Sequence, residues 1–190
     1  MADITNLPLT VNIAQIQPER LTKNDWNYRG LVVPRDGIFV APEGCAHSEP
    51  EAWTKDVHYD QDRSDVELLI NFMSNYNLAR TRFGAGSVPL GSMAENLVFG
   101  GPRNPVEYND LSDGQIVIHN RQSGEEIIVL SDFRECEPCI ELARFIRPES
   151  GNAGLRAALQ QLRGGVRGFL CKVSGFGVVR AGDVAKFIRP

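Results

Sequence analysis

Gln115-Ile-Val-Ile-His119 and Glu126-Ile-Ile-Val-Leu130, joined through Ser123-Gly124, read as two strands of a hairpin. In the first, Ile116 and Ile118 oppose Gln115, Val117 and His119, the period of two that a half-buried strand requires. The second is apolar and rich in β-branched residues, and Ser-Gly is turn chemistry. Working outward, Gly168-Phe-Leu-Cys-Lys-Val173, a turn over Gly175 to Gly177, Val178-Val179 and Asp183-Val-Ala-Lys-Phe187 return the chain to strand. Upstream, Gly37-Ile-Phe-Val-Ala41 and Gly30-Leu-Val-Val33 are short apolar strands around Pro34-Arg-Asp36. Leu9 to Ile16 alternates in part, with Val11, Ile13 and Ile16 as core candidates.

Helices punctuate this pattern. Ser64 with Glu67 reads as a capping box, and Val66, Leu69, Ile70, Met73 and Tyr76 form one stripe, which predicts a helix ending before Gly84-Ala-Gly86. Pro138 suits the first turn of a short helix through Ile140, Leu142, Ala143, Phe145 and Ile146, stopped by Pro148. Another carries Leu155, Ala158, Leu159 and Leu162 to Gly164-Gly165. Residues 42–62 are polar and acidic without a sustained period, and are expected to form a long, variable loop bordering a site. The expectation is one domain over residues 1–190, mainly β with peripheral helices closing over a β-barrel.

Composition narrows the function. At 190 residues with 42% hydrophobic and 23% charged residues, the chain has the balance of a soluble globular protein. Its net charge of -4 gives no reason to expect nucleic-acid binding, and no apolar run reaches the roughly 18 residues of a membrane span. From Arg156 onward, seven basic residues face Asp183 alone, a local balance of +6 that leaves -10 for the rest. A basic C-terminal third suits a phosphate or carboxylate partner as well as a solvated face. Four cysteines at irregular spacing fit a reducing cytoplasmic setting better than a disulfide framework.

The chemistry concentrates in Phe133-Arg-Glu-Cys-Glu-Pro-Cys139. A thiolate in the first turn of a helix after Pro138 meets amide dipoles that favour an anion, which makes Cys139 a candidate nucleophile, sulfur carrier or soft-metal ligand. The spacing of Cys136 and Cys139 also permits a reversible disulfide, or half of a zinc site completed by Cys45 and His47. Glu95 and Asn96 order a loop or project into a pocket. Among the histidines, His119 reads as an outward strand residue and His58 as a solvated loop residue or an acid/base. Gly84-Ala-Gly86 and Gly175-Phe-Gly177 read as turns, since both lack the context of a dinucleotide site.

In order, Gly91-Ser-Met-Ala-Glu-Asn-Leu97, Leu111-Ser-Asp-Gly114, Pro138-Cys139, Gly168-Phe-Leu-Cys-Lys-Val173 and Ala181-Gly-Asp183 resemble the landmarks of the MOSC domain, named for the C-terminal part of molybdenum cofactor sulfurases. The resemblance covers about residues 84–190, with Ala94 where many members carry glycine. It implies a β-rich barrel that binds the molybdenum cofactor (molybdopterin) or carries sulfur. Cys139 matches the family cysteine, as reactive thiolate or molybdenum ligand, with Cys136 beside it in a form similar to branches that reduce N-hydroxylated compounds. Glu95 and Asn96 match the loop that shapes the pocket, and His58 is the counterpart of a family histidine. Arg134, with Arg167 and Arg180, would attract the cofactor phosphate. A sulfur-donor or electron-transfer protein and a small-molecule substrate follow as partners. The readings from other classes are a noncatalytic interaction domain and a CxxC redox or zinc protein.

Overall fold

The computed structural model of the chain describes residues 6–11, 37–49, 52–55, 65, 67–93, 95–100 and 102–189, with 6–11, 46–49 and 52–55 as backbone alone. A curled mixed sheet forms its centre, with helices at its periphery. In chain order the strands are β1 (Asn6–Val11), β2 (Ile38–Ala41), β3 (Gly44–Glu49), β4 (Ala52–Lys55), β5 (Leu68–Phe72), β6 (Leu97–Phe99), β7 (Gln115–His119), β8 (Glu126–Glu135), β9 (Phe169–Gly175), β10 (Gly177–Val179) and β11 (Val184–Ile188). The helices are α1 (Met73–Phe83), α2 (Tyr108–Leu111), α3 (Ile140–Ile146) and α4 (Asn152–Gln161). Among the described residues, no helix is long and apolar enough to cross a membrane.

The hairpin expected at 115–130 is the antiparallel pair β7–β8, with Ile116 opposite Leu130 and Ile118 opposite Ile128. Pairing continues from β8 to β9, β5 and β6, and from β7 to β11 and β1. Because β1 pairs with both β11 and β6, the order returns to its starting strand. A second sheet, ordered β10-β2-β3-β4, leaves the first at the Gly175–Gly177 turn.

Three sequence expectations change. The helix expected from Ser64 begins only at Met73, because Leu68–Phe72 is a strand buried on both faces between antiparallel β9 and parallel β6. A strand buried on both faces shows a continuous apolar run instead of alternation, and so resembles a stretch of buried helix. Glu67, the supposed capping partner, pairs with Arg134 instead, while Ser64 and Val66 lie outside the described residues. Within the expected loop 42–62, residues 44–49 and 52–55 form the antiparallel pair β3–β4. Finally, α3 starts at Ile140, so Cys139 is its N-cap and Pro138 precedes it. The strands expected at 30–33 and 12–16 lie outside the described residues.

Two apolar clusters hold these elements. Ile70, Phe72, Phe99, Ile118, Leu130 and Phe169 belong to the one inside the curl. Tyr76, Phe83, Leu142, Ile146, Leu155 and Leu162 belong to the one beneath the helices. β5 is the wall between them, which explains its two-sided burial.

A bulge sets the direction of the chain where β8 ends. Its register to β9 shifts between Ser131 and Arg134, and Asp132 there adopts φ 53°. Three steps along β8 match two along β9, so the buried series Ile128, Leu130 resumes at Phe133 instead of Asp132. Beyond the bulge the ladder runs on, and the Cys136 N–H donates to the Gly168 carbonyl at 3.0 Å. Gly168 has φ +107°, and a Cβ there would lie 2.3 Å from the Ile70 carbonyl oxygen. Only glycine satisfies both constraints. Gly168→Ala is therefore expected to lower stability by about 2–4 kcal/mol, read from urea unfolding; a loss below about 0.5 kcal/mol would show that this approach relaxes freely.

Candidate functional site

The bulged end of β8 delivers Cys136-Glu-Pro-Cys139 to the start of α3. Neither cysteine is in a disulfide, and both are partly buried. Cys139, like Met73 and Ile140, packs against the helix-side cluster. Segment 163–168 grips the cysteine loop at three points. Gly168 accepts the Cys136 N–H, Arg167 Nη1 donates to the Glu137 carbonyl, and Arg163 Nε lies 3.7 Å from the Glu137 carboxylate.

Arg167 is 8% exposed, and its Nε has no hydrogen-bond partner among the described residues. Burying a guanidinium is costly unless an anion or a full set of acceptors faces it. Its charge acts on Cys136: burial pushes that thiol up, the Arg167 charge pulls it back, and Cys139 pushes it up again.

The three arginines named as phosphate candidates separate clearly. Arg134 is exposed and forked onto the Glu67 carboxylate, with Nε to Oε1 at 2.7 Å and Nη2 to Oε2. That contact, ahead of the opposing effect of burial, holds its proton still more firmly. Arg180 is exposed at a turn, where the Asp183 carboxylate accepts its backbone N–H at 2.8 Å. Arg167 alone of the three is buried beside the thiols.

Glu95 and Asn96 are buried, at 0% and 5% exposure, inside a polar network. The Tyr76 hydroxyl donates to Glu95 Oε1 at 2.6 Å and accepts the Gly91 N–H at 2.8 Å. Asn96 takes the Leu69 N–H on its Oδ1 at 3.1 Å, while its own N–H reaches the Leu69 carbonyl at 2.7 Å. Its Nδ2 donates to the Cys45 sulfur at 3.1 Å, tying the second sheet to β5. Asn71 and Asn75 extend the network. Asn71 Nδ2 reaches Met93 Sδ and the Val166 carbonyl at 3.3 and 3.4 Å. Asn75 binds Val106 and Gly165 backbone groups from both ends of its amide.

Tyr76, Asn71 and Asn75 were not singled out by sequence reasoning, which placed Tyr76 in an apolar stripe. The available signal was the polar spacing Asn71, Asn75 within an otherwise apolar run. The zinc arrangement is not assembled: Cys45 is buried against Asn96, and among the described residues no three metal-ligating side chains group together. The His47 side chain and all of His58 lie outside the described residues. His119 is half-buried in the hairpin, its Nδ1 3.3 Å from the Gly124 carbonyl, and Cys171 is core, its thiol pushed up by burial.

Burial first, and then the Glu95 charge, hold the Tyr76 hydroxyl well above ordinary tyrosine ionisation. The folded chain keeps this proton where the unfolded chain loses it, so the contribution is complete below about pH 10 and declines as pH rises above it. Tyr76→Phe is expected to cost about 1–3 kcal/mol at neutral pH, because partners are left without their hydrogen bond. Its stability should also fall less steeply than that of the wild type above about pH 10. Urea melts at neutral and alkaline pH check both; identical alkaline slopes would remove Tyr76 from the account.

Comparisons with known proteins fit this arrangement. No curated protein sequence matches the chain. Among solved structures, the YuaD protein from Bacillus subtilis superposes with a TM-score of 0.63 at 16% identity over 100% of both chains. YiiM from Escherichia coli gives 0.58 at 13% identity, covering 97% of this chain and 70% of that one. A hypothetical protein gives 0.60 at 14%, covering 99% and 69%. At these identities the likeness is one of fold. The MOSC domain profile matches residues 54–186, which span β5, the bulged β8, the cysteine loop and β9. By that match over most of its length, the chain belongs to the MOSC domain family.

Proposed function

We propose that this MOSC chain binds the molybdenum cofactor (molybdopterin) or carries sulfur, with Cys139 as the sulfur that meets the metal or holds the transferable atom. The observation that carries this reading is the buried Arg167 guanidinium, whose Nε has no hydrogen-bond partner among the described residues and whose charge acts on the Cys136 thiol. That donor set fits the group: a soft sulfur for a redox metal, and a fixed cation for a phosphate. When bound, the cofactor supplies a redox-active molybdenum centre on a phosphate-bearing pterin.

The chain's own part follows from its geometry. Cys139, at the N-cap of α3, offers one thiolate, and the cap position fixes its backbone. Cys136 stands beside it as the supporting sulfur. Arg167 holds the Glu137 carbonyl and keeps positive charge near Cys136. Glu95 and Asn96 act by fixing the 91–96 loop through Tyr76 and Leu69, and so shape the pocket from behind. In this reading the ring of strand pairings is the family's β-barrel. Reduction of an N-hydroxylated small molecule would draw electrons from a partner protein, and sulfur carriage would require a sulfur-donor protein. Four cysteines at irregular spacing support a cytoplasmic setting.

A second reading has its own support. The Cys139 sulfur pushes the Cys136 thiol up, a mutual influence of the kind two neighbouring thiols of a reversible dithiol would exert.

Loading the purified chain with molybdenum cofactor tests the first reading. Wild type should retain molybdenum and fluorescent pterin. Cys139→Ala should lose most of the metal, and Arg167→Gln should lower retention roughly tenfold. Equal, near-zero retention in all three would leave a noncatalytic interaction domain as the better description. Mild oxidation followed by mass spectrometry tests the second: a Cys136–Cys139 disulfide that thiol reductant reverses is expected, and folded protein that never forms it is not a dithiol switch.

A further inference from the structure

Hydrogen bonds tie the cysteine loop to a side chain on α1. The Cys136 N–H donates to the Gly168 carbonyl at 3.0 Å, and the Gly168 N–H donates to the Gly165 carbonyl at 2.8 Å. That same Gly165 oxygen accepts Asn75 Nδ2, also at 2.8 Å. Between the two glycines, Arg167 Nη1 donates to the Glu137 carbonyl, an oxygen that the Cys136 thiol meets at 4.0 Å. The 165–168 turn thus holds both the backbone and the sulfur surroundings of Cys136, and Asn75 holds the turn.

Asn75 is 1% exposed, and a buried amide is costly unless its groups are bonded. Here Nδ2 donates twice, to the Gly165 carbonyl and to the Val106 carbonyl at 3.0 Å, and Oδ1 takes the Val106 N–H at 2.7 Å. The planar amide therefore sets the 165 backbone against the 106 backbone in one geometry. With Gly168 N–H and Asn75 Nδ2 both bound, the two acceptor sites of the Gly165 oxygen are filled. Asn71 also braces the turn: its Nδ2 reaches the Val166 carbonyl at 3.4 Å, and a Cβ on Gly168 would lie 3.2 Å from its Cβ and Cγ. Cys139 is anchored separately, its carbonyl accepting the Ala143 N–H of α3 at 3.2 Å.

We infer that Asn75 is a positioning residue of the cysteine site, acting through Gly165 and Gly168 to hold Cys136 while α3 holds Cys139. This role rests on the cysteine loop being the reactive site, whichever of metal, carried sulfur or disulfide it serves. Loss of the Asn75 donors frees the 165–168 turn and, with it, Cys136. Burial is the largest influence suppressing that thiolate, ahead of the opposing pull of Arg167, so release makes Cys136 more reactive. Cys139 lies outside this run of bonds and keeps its reactivity.

Alkylation of the fully reduced chain by iodoacetamide, followed for each cysteine by peptide mass spectrometry, measures this. The readout is the ratio of the Cys136 rate to the Cys139 rate, because general loosening of the fold moves both together. Asn75→Ala should raise the ratio about tenfold, the scale of losing buried donor bonds. Asn75→Asp keeps an oxygen for the Val106 N–H but lacks the donors, and should raise the ratio likewise. Ile118→Val, a core truncation opposite Ile128 near the far end of β8, should leave the ratio as in wild type. Amide hydrogen exchange of the wild type gives a second measure that needs no variant: the Cys136 and Gly168 N–H groups should open together, with one dependence on urea. A wild-type ratio in either Asn75 variant, a raised ratio in Ile118→Val, or separate urea dependences would overturn the proposal. No cofactor enters the experiment, so failure to retain molybdenum and failure of this link are told apart.

Discussion

The approach of Gly168 to Ile70 is the constraint on which most of this structure depends. There the backbone entering β9 passes so near β5 that a side chain has no room, and the same glycine's carbonyl takes the Cys136 N–H. Three elements distant in sequence thus meet at one residue: the two-sided strand β5, the first residues of β9, and the loop that displays the thiols. The bulge at Asp132 makes this meeting useful. By adding one residue to β8, it returns Phe133 to the interior and aligns the strand end with Gly168. Without the extra residue, the inward series would pass through Asp132, placing a carboxylate in the core and every later side chain on the opposite face.

Hydrophobic burial on both sides of β5 supplies the bulk of the cohesion, but the polar residues at the β5–α1 junction decide which loops sit where. Asn75 joins the 106 and 165 backbones, Tyr76 holds the 91–95 turn, and Asn71 reaches Val166. A satisfied hydrogen bond contributes only about 1 kcal/mol net, whereas an unsatisfied buried group costs about 1–3 kcal/mol. Such a network therefore does more to penalise wrong arrangements than to favour the right one. This is why Glu95 and Asn96 read more readily as the frame of a pocket than as its lining.

The sequence was most legible where burial is one-sided. In the hairpin, β8 buries Ile128 and Leu130 between half-buried neighbours, although β7 buries Val117 along with Ile116 and Ile118, and the glycine turn between β9 and β10 follows from local backbone chemistry. The cysteine pair stood out by its spacing around a proline, and the structure sets both sulfurs, partly buried, between the end of β8 and the start of α3. Less was legible where a residue's meaning depends on what lies opposite. Leu68–Phe72 carries no period because both of its faces are buried, and Asn96 looks like a capping residue until Leu69 and Cys45 stand beside it. Strands β3 and β4 were hidden by polar composition, which a small outer sheet tolerates. The burial of Arg167 was invisible for another reason: a basic residue in a basic stretch reads as solvated until the fold encloses it.

That enclosure bears on which of the two sulfurs faces chemistry. Cys136 continues the β8 ladder, its N–H tied to Gly168, and desolvation raises its thiol despite the nearby guanidinium. A sulfur held in a strand extension can shift little without breaking the pairing that positions it. Cys139 lies three residues on, past Pro138, where the ladder has ended and the helix has not begun. There the backbone is extended, at φ -97° and ψ 162°, and the side chain packs against the helix-side cluster. The cap position leaves its carbonyl to accept the Ala143 N–H at 3.2 Å, so the main chain is anchored while the sulfur's surroundings stay only partly buried. The asymmetry assigned to Cys139 thus has a mechanical origin in the bulge. One extra residue in β8 commits the first cysteine to the sheet and leaves the second at the junction with α3.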